Sequence, residues 1–187
     1  AASLYQSFLI DWCNVLSDLA TVRRVIAYTP PESLSVLQHL IGEDAIYIPQ
    51  VGKDLGERLI NATQWVCNQN YAKFLFVGSD SPTLPVQYVE GALNLLESRD
   101  VVIGPSLDGG YYLMGLATPR DGEAIPDLFT DVRWSTSTTL EDTVNAAERA
   151  GIAPLRIRYV PFDGGGEAMT ALLGGFVQVF SGDGSEV

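Results

Sequence analysis

Four stretches of the chain carry side chains whose type and spacing could do chemistry. Val77-Gly78-Ser79-Asp80-Ser81-Pro82 sets a carboxylate directly after an apolar run. A carboxylate in that position suits Mg²⁺ or Mn²⁺ bridging phosphate oxygens, because hard cations take oxygen ligands. Gly78 would let a ligand approach the backbone and Pro82 would fix the loop. The competing reading is that Asp80 or Ser81 caps a helix beginning near Pro85. Gly104 to Tyr112 contains Asp108-Gly109-Gly110 followed by Tyr111, a floor of small residues on which a sugar or base could lie. Asp-Gly between two strands is equally a hairpin turn signal. Asp54-Leu55-Gly56-Glu57-Arg58 reads either as a charged binding loop or as a helix start with Asp54 at the N-cap. In Trp134-Ser135-Thr136-Ser137 the serines could cap a helix, and Trp134 could be core or a stacking surface.

These stretches need elements to position them. Apolar residues from Leu4 to Leu19 (Phe8, Trp12, Val15 and Leu16 among them) recur at helical spacing. Short apolar runs at 25–28, 45–48, 74–77, 101–103 and 111–116 read as strands, with an alternating one at 155–160. Between them lie helical patterns at 31–40, 55–70, 86–97 and 138–150. The Gly-rich stretch from Gly164 to Val187 is ambiguous. Alternating helix and strand predict a single three-layer α/β/α domain over residues 1–187, with a mostly parallel sheet. Such sheets bind ligands beyond the carboxyl ends of their strands, where the four stretches fall. A helix normally crosses between two strands, yet none precedes the first helix here. The expectation is a first strand missing ahead of it.

Composition narrows the function. The 187 residues are 47% hydrophobic and 18% charged, ordinary for a globular chain. A net charge of −12 repels phosphate backbones and argues against general nucleic-acid binding, although a cation held by carboxylates can still admit a small nucleotide. No apolar run is long enough for a transmembrane helix, and no signal peptide is visible. Cys13 and Cys67, both in helical patterns and without a CxxC, are expected to be buried thiols of a reducing cytoplasm. The single histidine, His39, excludes chemistry needing two. There is no GxxxxGK[ST], no GxGxxG after a strand and no GxSxG, which argues against P-loop NTPases, dinucleotide oxidoreductases and serine hydrolases.

Taken in order, Gly52-Lys53-Asp54-Leu55-Gly56-Glu57-Arg58-Leu59, Gly78-Ser79-Asp80-Ser81-Pro82, Gly104-Pro105 through Asp108-Gly109-Gly110-Tyr111-Tyr112-Leu113-Met114-Gly115-Leu116, then Leu128-Phe129 and Trp134-Ser135-Thr136 form a specific set. The set resembles bacterial GT-A-type glycosyltransferases of the nucleotide-diphospho-sugar transferase superfamily, related to molybdenum-cofactor and phospholactate guanylyltransferases. The resemblance covers roughly residues 1–160. It implies a GT-A, Rossmann-like fold that takes a nucleotide-sugar or nucleoside triphosphate with Mg²⁺ or Mn²⁺. Asp80 matches the family's metal-binding acidic motif, Asp108-Gly109-Gly110 its acceptor or sugar-side loop, and Trp134-Ser135 a loop near the donor. Two departures stand out. The family's opening strand and basic, Gly-rich phosphate loop have no counterpart in this sequence. Its closing Asp-x-Asp-Thr segment corresponds to Phe162-Asp163-Gly164-Gly165, so that Asp163 remains a candidate metal ligand and Gly165 stands where a second acid is expected.

The sequence therefore points to a metal-dependent glycosyl or nucleotidyl transferase. Asp80 and Asp163 are the expected metal ligands, and Asp80 and Asp108 the expected catalytic carboxylates. Gly78, Ser79, Ser81, Gly109, Gly110, Tyr111, Trp134, Ser135, Asp54 and Arg58 are expected to contact substrate. A different class of function is a degenerate, non-catalytic domain that binds a ligand or pairs with a second copy through a sheet edge left open. A third is a metal-dependent phosphohydrolase using Asp80.

Overall fold

In a computed structural model, which describes residues 2–17, 19, 22–79, 84–120, 122–160 and 177–182, a seven-stranded sheet lies between two layers of helices. The elements are α1 (Ala2–Ser17), β1 (Val22–Tyr28), α2 (Leu34–Ile41), β2 (Ile46–Pro49), α3 (Leu55–Cys67) and β3 (Lys73–Gly78). They continue with α4 (Val86–Leu95), β4 (Val101–Pro105), β5 (Tyr111–Ala117), α5 (Thr139–Arg149), β6 (Ile157–Tyr159) and β7 (Val177–Gly182). Strand order is β2-β1-β7-β3-β5-β4-β6. Parallel ladders join β1 to β2 and β4 to β6, whereas β7 and β5 run antiparallel to both of their neighbours. Among the described strands, five thus point the same way, as the apolar runs predict. The two reversed strands nevertheless make most of the ladders antiparallel.

Strand alternation sorts the core into two faces. Val25, Ala27, Phe74, Phe76, Val101 and Ile103 pack with Leu59, Ala62 and Val66 of α3 and Ala147 of α5. On the other face Leu75, Val77 and Val102 meet Trp12 and Leu16 of α1 and Val89, Ala92 and Leu93 of α4. Ile26 and Tyr28 meet Leu9 and Cys13 of α1 and Leu37 of α2 there. The buried stripe of α1 is Leu9-Trp12-Cys13-Leu16, an i, i+3, i+4, i+7 set, so Val15 projects outward instead of joining it.

Several boundaries differ from the pattern reading. Pro31 opens a 3₁₀ turn (Pro31–Ser33), and the α-helix begins only at Leu34. A second 3₁₀ turn at Pro154–Arg156 shortens the last predicted strand to 157–159. The ambiguous Gly-rich stretch contributes β7, which lies between β1 and β3 at the centre of the sheet. Cys13 is buried as expected. Cys67, the last residue of α3, is only half-buried, and that burial raises its thiol pKa.

The strand register slips where β4 meets β5. Gly104 pairs with Leu113 and Pro105 with Tyr111, so Tyr112 is the extra residue of a bulge. Its ring lies over Gly104, and its hydroxyl donates to the Val160 carbonyl at 2.6 Å. A Cβ on Gly104 would come within 2.6 Å of Tyr112 Cε1. Gly104→Ala should therefore cost about 1–3 kcal/mol by overpacking a ring that is anchored at its far end. Urea unfolding checks this, and an unchanged midpoint would show that the ring moves freely.

Candidate functional site

One lip of the sheet collects the carboxyl ends of β1, β2, β3 and β4. The 54–58, 104–112 and 134–137 stretches meet it, each held by a different local device, and Gly78 and Ser79 bring the described part of the fourth to it.

At the β2 end, Gln50 continues the β1–β2 ladder, its N–H donating to Tyr28 O at 2.8 Å. Its side-chain Nε2 donates to Ala27 O at 3.1 Å. Asp54 is the N-cap of α3, accepting from Glu57 N at 2.9 Å, and the Glu57 carboxylate reaches back to Lys53 N at 2.9 Å. Side chain and backbone thus exchange bonds across the first turn, as in a capping box. The helix-start reading of Asp54 is what the geometry displays. Arg58, one turn further on, donates from Nε to Gly52 O and from Nη1 to Gln50 Oε1, both at 3.3 Å. This link between strand end and helix was not visible in the sequence, because Gln50 carries no motif signal of its own.

At the β3 end, Gly78 closes the strand and Ser79 is buried behind it. Asp80 and Ser81 lie outside the described residues, as does Asp163. Among the described residues, no group of three or more His, Cys, Asp or Glu side chains is placed to hold a metal ion.

At the β4 end, the Asp108-Gly109-Gly110 stretch is the tip of the β4–β5 hairpin. Asp108 organises that tip: its Oδ1 accepts from the Ser106 hydroxyl and from Gly110 N, the latter at 3.0 Å. The carboxylate itself is exposed at the lip. Gly109 has φ +86°, and a Cβ there would lie 2.6 Å from Ser137 Cα. Its carbonyl accepts from Leu140 N in the first turn of α5 at 2.9 Å. The tip therefore sits directly against the start of α5, a contact that only glycine permits.

The Trp134 loop completes this arrangement. The indole lies edge-on to Tyr111, with ring centroids 6.4 Å apart, and tilted on Phe129 at 6.3 Å. Its Nε1 would be 3.1 Å from a Cβ on Gly56, so Trp134 also closes against α3. Trp134 is thus half-buried, packing on the core cluster beneath it. Tyr111 lies with its hydroxyl 3.4 Å from Thr143 Oγ1, and burial raises its pKa. Ser135 is exposed at φ +58° and serves the turn. Thr139, fully buried, donates to Arg133 O at 2.8 Å and lies 2.9 Å from Thr136 O, tying the loop to the helix that follows. Sequence reasoning placed Ser106, Phe129 and Ser137 inside its motifs but missed the contacts they make, with Asp108, Trp134 and Gly109 in turn. Only the Ser-x-Asp spacing of 106 and 108 carried a local signal for one of them.

Arg133 and Asp142 clamp the same loop. Arg133 donates from N and Nε to Asp142 Oδ2 at 3.0 and 2.9 Å, and from Nη2 to Oδ1 at 2.8 Å. These bonds, the guanidinium ones first, hold the Asp142 carboxyl at about 2 against an ordinary 3.8. The folded-state value is depressed, so the stabilisation is complete above the ordinary value and is lost as pH falls through about 2. In an NMR carboxyl titration, Arg133→Gln should move the Asp142 midpoint upward toward 3.8; an unmoved midpoint would mean the clamp is absent in solution. Gly109→Ala should destabilise by about 2–4 kcal/mol, since it combines a positive-φ penalty with a backbone clash. Thermal unfolding measures it, and a loss no larger than that of an exposed-site alanine control would refute the docked tip.

Comparisons with known proteins bear on the fold and the family. A crystal structure from Desulfovibrio desulfuricans G20, described as a "putative nucleotide-diphospho-sugar transferase", superposes with a TM-score of 0.74 at 31% identity, covering 86% of this chain and 67% of that one. The fold is that of the nucleotide-diphospho-sugar transferases. The chain is also 33% identical over 121 residues to 3-phospho-D-glycerate guanylyltransferase of Phenylobacterium zucineum (strain HLK1), covering 62% of this chain and 54% of that protein. It therefore spans about half the length of that curated relative. Residues 13–136 match the family described as "Uncharacterized protein conserved in bacteria (DUF2064)". With about two thirds of its length inside that match, and with the fold and motif order in accord, this chain belongs to the DUF2064 family.

Proposed function

We propose that this chain transfers a nucleotidyl or glycosyl group from a nucleotide-activated donor, with GTP as the first donor to test. The observation that carries the reading is the convergence of the Gln50–Arg58, Gly78–Ser79 and Ser106–Gly110 segments on one lip of the sheet. The names of the two relatives supply the substrate class. In a guanylyl transfer, an acceptor phosphate oxygen attacks the α-phosphorus of GTP. The bond to the bridging oxygen breaks, and pyrophosphate leaves with its electron pair. Such a reaction asks the protein for alignment and for neutral surroundings around the phosphates. The Arg58 guanidinium, held by two uncharged oxygens, is suited to that work. Asp108, with one oxygen engaged in shaping the tip, leaves the other to orient an acceptor.

The described residues alone do not make a metal site, so a requirement for Mg²⁺ or Mn²⁺ rests on Asp80 and Asp163. A bound cation would screen phosphate charge in a chain of net charge −12. Isothermal titration of GTP in the presence of Mn²⁺ should give saturable binding, weakened about tenfold or more by Asp80→Asn, with the circular dichroism spectrum unchanged. A chain that binds neither GTP nor a nucleotide-sugar under these conditions overturns the reading. Binding without release of pyrophosphate or of a nucleoside diphosphate, across a panel of phosphorylated acceptors and sugars, would favour the non-catalytic alternative.

A further inference from the structure

At the opposite end of the sheet from the lip lies a groove of about 460 Å³. It is bounded by the C-terminal ends of α4 and α5, by the segments entering β4 and β6 and by the one leaving β5. We propose that this groove is a second ligand site, taking a small organic phosphate between Arg99 and Arg120. None of its residues belongs to the lip, so the groove stands whether or not the nucleotide reading holds.

The backbone brings three arginines to one place. Arg99 precedes β4, Arg120 follows β5 and Arg156 precedes β6. β4 lies between the other two strands, with β5 running against it and β6 with it, so one strand end and two strand starts fall at the same pole. Asp100 ties the three segments together: its N–H donates to Arg156 O at 3.1 Å, and its carbonyl accepts from Ala117 N at 2.9 Å. All three arginines line the groove. Three of the 11 lysines and arginines thus stand around one concavity in a chain of net charge −12.

Their bonds divide them. Arg156 is engaged, donating from Nε to Asp100 Oδ2 at 3.0 Å and from Nη2 to Oδ1 at 2.5 Å. Glu97 at the rim is held by Lys73. Glu123 turns its carboxylate to the Arg120 backbone N–H at 3.1 Å. Arg99 donates from Nη1 to the uncharged Ser98 carbonyl at 3.1 Å. Neither Arg99 nor Arg120 has a carboxylate at ion-pair distance among the described residues. The groups that oppose an anion here are Glu123, Asp100 and the terminal carbonyls of α4 and α5. Both carboxylates are already bonded, whereas most of the N–H groups of the two guanidiniums are not.

The ligand class follows from the lining. Leu96, Ala117, Pro119, Pro126 and Ile152 supply apolar surface beside the two guanidinium forks, which suits a ligand with a carbon part as well as a charge. A phosphate presents oxygens on several sides, so forks arriving from two different segments can each take a pair. A carboxylate presents only one edge.

The test uses phenyl phosphate and inorganic phosphate, titrated separately into the intact chain at fixed ionic strength, without metal or nucleotide, and followed by amide NMR. Phenyl phosphate should bind saturably and several-fold tighter than inorganic phosphate. It should shift the amides of Ala117 and Gly151 and leave those of Gly109 and Gly110 at the lip unmoved. Arg99→Gln and Arg120→Gln should each weaken phenyl phosphate about tenfold, the loss of one charge-assisted pairing. Arg23→Gln, at an exposed position at the same end of the sheet and four strands from β4, should change it by less than about twofold. Arg120 is exposed, so Arg120→Gln decides the matter if Arg99→Gln does not fold. Shifts confined to the lip, equal losses in all three variants, equal affinity for the two phosphates, or no saturable binding of either one overturns the site.

Discussion

Gly109 carries no side chain, and the tip of the β4–β5 hairpin therefore rests its backbone on that of Ser137 while its carbonyl takes the Leu140 N–H. The rest of the lip depends on that contact. It fixes where the Asp108 carboxylate stands, and it sets the start of α5 against the hairpin. Through Thr139 and the Arg133–Asp142 clamp it also holds the Trp134 loop. The same device recurs across the sheet, where Gly56 allows the indole of Trp134 and the carbonyl of Phe129 to approach α3. Two glycines thus let three separate segments meet without side chains between them. Hydrogen bonds at such close range orient groups well because neither partner can move without displacing backbone.

The charge of the chain sits uneasily with a phosphate-bearing substrate, and the lip shows how the conflict is reduced. Asp54 and Glu57 are spent on the first turn of α3, where the helix dipole favours them. Asp142 is engaged by Arg133, and one oxygen of Asp108 is bonded within its own turn. Arg58 is held instead by two oxygens that bear no full charge, the Gly52 carbonyl and the Gln50 amide, so its positive charge is not cancelled by a carboxylate in those bonds. Around the proposed nucleotide path, acidic groups act as caps and clamps, and a cation keeps its field.

Reversal of β7 and β5 shapes both ends of this arrangement. β5 returns antiparallel beside β4, which is why a glycine-rich tip stands at the lip in place of a long crossover. β7 enters between β1 and β3 and pairs with both, so the middle of the sheet is continuous and the strand ends on either side of it stay a fixed distance apart. The edge strand β2 ends in Pro49, a residue that cannot donate to a further ladder.

Much of this was legible in the residues. Short apolar runs and period-3.6 patterns gave the order of helices and strands as far as residue 160, because burial acts on a few neighbouring side chains at a time. Asp54 ahead of Glu57 signalled a capped helix, and Asp108-Gly109 signalled a hairpin, because both are closed by bonds within a few residues. Tertiary structure alone decided that 177–182 lies between β1 and β3, that Val15 turns away from the core, that Gln50 meets Arg58, and that Gly109 docks on Ser137. Each of those depends on a partner distant in the chain. Local propensity cannot specify such a contact: whether it forms depends on what the rest of the sheet leaves open and on the few positions where a missing Cβ lets two backbones touch.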